Sequence, residues 1–298
     1  MVAFCRTTRI RRIIATVTCA AAGLLLLAAT ESDGDRSRVL LVQGDIDNKR
    51  CPAQQLLDAN KPWHWEGGTL PPTMMQARNH TSDSAKSPTV VMFRLEEESG
   101  TFHVKRTEQS LSDHWPEDRV CAADAVDGNS LKDHAGAEHI TGIRFGSKLS
   151  LSQVGCFLSH LSIWRWALAN DQPAISLESD AVALKRWSVD PETYKEYDIL
   201  FTHGHNSIIS KCQAETDEQV FEGMDRWYAT GAMLFTNNNP ERVRRVFQEE
   251  LVAQQVDVPI DFWINAMWNK KKLKIGQLCP YHFQQIQDHA SSIVGSFN

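Results

Sequence analysis

The sequence predicts a layered α/β fold. Short apolar runs rich in β-branched residues, such as TVVMFRL beginning at Thr89, recur along the chain, and helical patterns separate them. The run AISL, beginning at Ala174, is continuously apolar, as in strands of sheets covered by helices on both faces. Sheets of this kind take their ligands beyond the carboxyl ends of their strands.

The chain has 298 residues, 42% hydrophobic and 23% charged, enough for one large domain or two modest ones. Its net charge is −6, and the four arginines of the first 30 residues supply +4, so the remainder carries −10. An acidic body lacks the basic surface that phosphate-backbone binding demands, so nucleic acid is not the main partner.

Arg6, Arg9, Arg11 and Arg12 precede an uncharged apolar run at residues 13–30, IIATVTCAAAGLLLLAAT. As a helix this run is about 27 Å long, close to the roughly 30 Å of a hydrocarbon layer. Positive residues before it put the N-terminus in the cytoplasm and the rest across the membrane. Residues 1–30 therefore read as a cytoplasmic tail and signal anchor, giving a single-pass type II protein of the endoplasmic reticulum or Golgi with a luminal body. A signal peptide is the alternative, and its cleavage would release a secreted protein. The sequon Asn79-His80-Thr81 is compatible with either.

Residues 31–88 are polar and broken by proline and glycine, as in a stem. The body spans residues 89–298 and opens on the TVVMFRL strand. Residues 105–114 read as a helix, and RVCAADAVDG as a strand entering an acidic Asp-Gly turn. The clearest helix is SLSQVGCFLSHLSIWRWALAND. Ser150 or Ser152 can cap it, and Val154, Phe157, Leu158, Leu161, Trp164 and Leu168 keep the three-and-four spacing of one buried face. Pro173 restarts the chain in extended form. Strands in YDILFTHGH, WYATGAMLF and KLKIGQL follow, with helical stretches at about residues 240–254 and in PIDFWINAMW.

Beyond the hydrophobic run stand Cys51, Cys121, Cys156, Cys212 and Cys279. With no C-x-x-C pair, their spacing argues against a zinc site. An odd number allows at most two internal bridges and leaves one thiol over.

The AISL strand ends in Glu178-Ser179-Asp180. Two acids one residue apart on a strand end point the same way and can share a hard cation, Mg²⁺ or Mn²⁺, with substrate phosphates. A cation offsets a repulsion of roughly 4 kcal/mol between charges ~4 Å apart at an effective dielectric of about 20. A solvated turn is the plainer alternative.

The order of AVDG at residues 125–128, LSQVGCFLSHLSIWRWAL and PAISLESDAVAL resembles glycosyltransferase family 25, which includes lipooligosaccharide and collagen galactosyltransferases. Downstream, TGAMLFTNNNPERVRRVF, VPIDFW and QIQDHASSI resemble the family's later motifs. The resemblance implies a GT-A-like nucleotide-sugar-binding sheet that transfers a hexose, often galactose from UDP-galactose, with inversion, to a glycan or protein hydroxyl. It implies Glu178 and Asp180 as outer acids of a metal-binding Glu-Asp-Asp, with Ser179 in place of the middle acid. A serine offers a neutral oxygen where the family has a charge.

Inverting transfer needs a base for the acceptor hydroxyl and neutralisation of the leaving diphosphate. Asp261 of PID is the candidate base, with Asp127 its competitor or a contact to nucleotide or sugar. Ser159 and His160 match the family's Ser-His pair, which makes Ser159 a candidate contact to the donor. His160 is a candidate catalytic residue, or a hydrogen-bonded core histidine. His203 or His205 of THGH is a candidate for the metal or phosphates, with a surface loop the alternative, and Arg106 is a candidate for phosphate. Trp227, Trp263 and Trp268 are candidates for an acceptor platform, or core. Two other functions stand beside transfer: a metal-dependent phosphoesterase using ESD and THGH, and a luminal sugar-binding protein without turnover.

Overall fold

The computed structural model describes residues 88–95, 98, 101–204, 212, 217–222 and 230–286. The predicted anchor, stem and sequon, as well as Trp227, His205 and residues 287–293 of the last motif, lie outside them. Among the described residues no helix is long and apolar enough to cross a membrane.

In chain order the body begins with β1 (Thr89–Arg94), α1 (Phe102–His114), β2 (Val120–Asp124), α2 (His134–Thr141) and β3 (Arg144–Phe145). It continues with α3 (Leu151–Asn170), β4 (Ala174–Glu178), β5 (Ala181–Ala183), α4 (Pro191–Tyr194), β6 (Ile199–Phe201), β7 (His203–Gly204) and β8 (Gln219–Phe221). Last come β9 (Ala232–Phe235), α5 (Pro240–Phe247), β10 (Gln255–Val256), α6 (Ile260–Asn269), β11 (Ile275–Cys279) and β12 (Phe283–Gln285). The main sheet has seven strands in the order β2-β1-β4-β9-β6-β11-β8, and a small sheet is ordered β5-β12-β7.

The layered α/β expectation holds, with one addition. β2, β1 and β4 run parallel, but β9 enters antiparallel between β4 and β6, so the sheet is mixed. Both faces of the sheet are covered, and the pleat sorts residues between them. Val91 and Phe93 of β1, Met233 and Phe235 of β9, and Ile199 and Phe201 of β6 join one core with α3, α5 and α6. Val90 and Met92, Ile175 and Leu177, and Ala232 and Leu234 join the other, with α1, Trp115 and Trp187.

α3 departs from the single apolar face expected of it. Thirteen of its residues, from Val154 to Leu168, are buried, including Ser159, His160 and Ser162. It lies inside the molecule, so nearly every side of it packs. Trp164 stacks on Phe235 and Phe247 at centroid distances of 5.9 and 6.3 Å. Ser150, not Ser152, caps the helix: its side chain accepts from Gln153 N, and the Gln153 side chain accepts from Ser150 N. The helix expected over residues 240–254 is α5 followed by a π-helical turn, Gln248–Val252. Cys212 and Cys279 form a disulfide, Cys121 is also disulfide-bonded, and Cys156 is a free thiol.

The AVDG turn and the GC pair of α3 meet backbone to backbone. A Cβ on Gly155 would stand 2.4 Å from Val126 O, and one on Gly128 2.2 Å from Leu151 O. Only glycine permits that approach. Ser159 completes the joint, its hydroxyl donating to Gly155 O and accepting from Val126 N at 2.8 and 2.9 Å. Gly155→Ala is expected to lower stability by about 1–3 kcal/mol, read as a drop in the urea midpoint. An unchanged midpoint would mean that helix and turn are not packed this closely.

Candidate active site

The carboxyl ends of the parallel strands form one rim. The register sets Phe93 beside Glu178 and Arg94 beside Asp124, so the ends of β1, β2 and β4 are level. β9 runs the other way, so Thr230 and Gly231, just before it, reach the same rim, and Gly231 O accepts from Glu178 N at 2.9 Å. β12 brings Gln285 opposite Ala181.

Glu178 is the centre. Its side chain is 13% exposed, and Oε1 faces His160 Nε2 at 3.3 Å and accepts from the Thr230 hydroxyl. Burial alone would raise this carboxyl. The hydrogen bond and charge of His160, helped by Thr230 and the charge of His203, instead bring it below the ordinary range. His160 is fully buried, with Nδ1 2.9 Å from Ser176 Oγ and its ring edge-on to Phe93. Ser176 in turn donates to Met233 O at 3.3 Å.

Asp180 moves the other way. Burial, and then the negative charge of Glu178, raise its carboxyl to about 6. Gln285 Nε2 donates to Oδ2 at 3.0 Å, and Ile286 N holds the Asp180 carbonyl at 2.7 Å. Its Oδ1 is buried without a hydrogen-bond partner among the described residues. Glu178 Oε2 likewise makes no hydrogen bond there. An orphaned buried oxygen beside a second carboxylate with a free oxygen is a donor set that fits a hard divalent cation.

Ser179 takes no part in that set. Its hydroxyl donates to Glu98 Oε2 at 3.0 Å, while its carbonyl accepts from the buried Thr107 at 2.8 Å. The serine in place of the family's middle acid therefore ties the loop to α1 and to the segment after β1.

The sequence-predicted residues divide by burial. Asp127 is partly exposed at the rim, and its Oδ1 accepts from Asn129 N at 2.8 Å. Asp261 lies in the first turn of α6, partly exposed, with Oδ1 accepting from Phe262 N at 2.9 Å. Its negative charge, with those of Glu178 and Asp180, acts on Cys156. Burial and these acids hold that thiol far above its usual range.

Ser159, expected to bind the donor, is 2% exposed and spends its hydroxyl on the AVDG turn, so it is a positioning residue. His160, expected among the catalytic residues, is fully buried and positions Glu178. His203 is not on a surface loop. It is 2% exposed, with Nδ1 against the Ala232 backbone. Arg106 sits on the exposed side of α1, while Thr107 beside it turns inward. Trp263 is core, packed on Phe157 and Phe247, and the partly buried Trp268 packs against the same core.

Residues 111–188 match the model of glycosyltransferase family 25 (LPS biosynthesis protein). The family 25 segment carries the AVDG turn, α3 and the Glu178 strand end, and so supports a transferase. No curated protein sequence matches the chain. Among solved structures, it is similar to the glycosyltransferase GlyE of Streptococcus pneumoniae TIGR4, at 12% identity over 64% of this chain and 45% of that one, with a TM-score of 0.34. An active-site mutant of LgtC has 11% identity over 63% and 72%, with a TM-score of 0.33. Mouse xyloside xylosyltransferase 1 has 12% over 67% and 85%, with a TM-score of 0.30. The chain spans under half the length of the GlyE structure.

Thr230, Cys156, Ser176 and Gln285 escaped sequence reasoning as site residues. Thr230 and Gln285 open two of the downstream motifs, TGAMLF and QIQDHASSI, and that position was the available signal. Both hold an acid of the family 25 strand end: Thr230 holds Glu178, and Gln285 holds Asp180.

A raised acid lends stability that is fully present below its unfolded value, near 3.8, and is lost as pH climbs through about 6. Asp180→Asn removes that loss. At pH 7.5 it is expected to stabilise the fold by about 1–3 kcal/mol, seen as a higher urea midpoint, with the gain vanishing near pH 4. A gain independent of pH would contradict the environment described for Asp180.

Proposed function

We propose that this protein is a glycosyltransferase that moves a hexose, galactose by family expectation, from a nucleotide-sugar donor to a glycan or protein hydroxyl, with inversion. The observation that carries the proposal is the rim itself. Two carboxylates with unsatisfied oxygens stand at the end of a buried strand, inside a segment matching a glycosyltransferase family, and a partly exposed third acid lies nearby.

Glu178 and Asp180 would hold the divalent cation, Mn²⁺ or Mg²⁺, which when bound neutralises charge developing on the leaving diphosphate. His160 and Thr230 keep Glu178 ionised and aimed, and Gln285 orients Asp180. Asp261, in the first turn of α6 and within electrostatic reach of the rim, takes the proton from the acceptor hydroxyl. Asp127 contacts the nucleotide or sugar from the turn that Ser159 and Gly155 pin. Arg106, exposed on α1, is available to donor phosphate. The address remains that of a type II protein with a luminal body, acting where nucleotide sugars and acceptors meet.

A non-catalytic sugar-binding protein is the second reading, favoured by the engagement of Ser179 with Glu98 in place of an acid. A screen of UDP- and GDP-sugars, with and without Mn²⁺, separates the two by release of nucleoside diphosphate. Release is expected with one UDP-hexose, to depend on Mn²⁺, and to fall at least a hundredfold in Asp180→Asn, within the range of about 10²–10³ seen for loss of one charge-stabilising group. Full turnover in that variant would refute the assignment of the acids.

A further inference from the structure

We propose that Cys156, His160 and Glu178 form a zinc site. Cysteine spacing argues against such a site, yet α3 and β4 assemble it from three residues. The ligand atoms of these three residues lie within 4.8 Å of one another. The spacing of His160 Nε2 from Glu178 Oε1, 3.3 Å, matches the edge of a tetrahedron whose corners are ~2.0–2.1 Å from Zn²⁺. Cys156 stands one helical turn before His160, on the same side of α3, and its sulfur lies within 4.8 Å of the other two ligand atoms. Glu178 and Cys156 are both partly exposed, so the cluster can be reached from solvent.

The hydrogen bonds around the ring of His160 make the stronger argument. The Ser176 proton goes to Met233 O, so Ser176 Oγ accepts from His160 Nδ1. With Nδ1 so held, Nε2 faces Glu178 Oε1, which also accepts from Thr230. At this distance the two atoms share either the proton by which His160 donates to Glu178 or a metal that displaces it. With a thiol sulfur on the third side, the donor set is N, O and S, which selects zinc over Mg²⁺ or Mn²⁺. The Met233-Ser176-His160 chain is also the outer support that metal-bound histidines use to fix their ring.

The zinc site stands on these contacts alone. Only its relation to a cation on Glu178 and Asp180 rests on the transfer reading: Oε1 of Glu178 serves the zinc and Oε2 the second cation, so the two metals share one carboxylate. Zinc on Oε1 would then reduce the charge that Glu178 offers the second cation.

Co²⁺ titrated into the full chain with its disulfides intact is the probe. One equivalent is expected to give tetrahedral visible bands and a near-ultraviolet thiolate-to-cobalt charge-transfer band, both abolished by one equivalent of Zn²⁺. Cys156→Ser is expected to lose the charge-transfer band. Ser176→Ala, which keeps all three ligands, is expected to keep the band and weaken Zn²⁺ about 10–100-fold, with circular dichroism checking both folds. Cobalt bound by the wild-type chain without the charge-transfer band overturns the site, whatever the variants do. Binding of Mn²⁺ is followed separately by its paramagnetic resonance. Zinc binding without manganese binding upholds the site and counts against the transfer reading. Manganese binding without the cobalt band overturns the site and leaves that reading standing.

Discussion

The arrangement of the site rests on how Glu178 is kept charged. The four residues of β4 before it are completely buried, and a carboxylate at that depth is costly unless donors replace its lost water. His160 and Thr230 are those donors, one from the interior of α3 and the other from the turn into β9. Their placement explains two oddities of the fold. α3 carries polar residues although it is buried on nearly every side, and β9 runs antiparallel in the middle of an otherwise parallel half-sheet. Without that reversal, Thr230 would leave the chain at the opposite edge.

Asp180 shows what happens two residues away where the stabilising contacts are weaker. The same burial acts on it, the charge on Glu178 adds to the effect, and the amide of Gln285, a backbone hydrogen bond and the charge of His103 are together too little to offset them. Neighbouring acids whose environments push them apart mark sites of chemistry more often than structural pairs do. Here the split follows from the elements behind each acid: a helix and a central strand hold Glu178, and a short strand of the small sheet holds Asp180.

The layered class, the strand ends, the long third helix and the acidic pair were legible because each depends on local pattern. Alternation, helical spacing and a capping serine are read over a few residues. Burial class was not legible. Ser159, His160 and His203 look like solvent-facing functional residues in a motif, yet they are buried, because sequence spacing says which residues share a face and not what covers it. Thr230 and Gln285 were invisible for a different reason. A threonine or glutamine gains a role only from the carboxylate opposite it, and their partners lie 52 and 105 residues away.

The amino-acid sequence by itself determined the alternation of strands and helices, the glycines that let the AVDG turn touch α3, and the two acids at the end of β4. Those features rest on backbone conformation and residue size, which neighbours along the chain already dictate. The tertiary structure alone decided the mixed sheet, the opposite fates of Glu178 and Asp180, and the meeting of Cys156 with His160 and Glu178. Charge and metal affinity depend on distance and on exclusion of water, and neither exists until remote segments pack together.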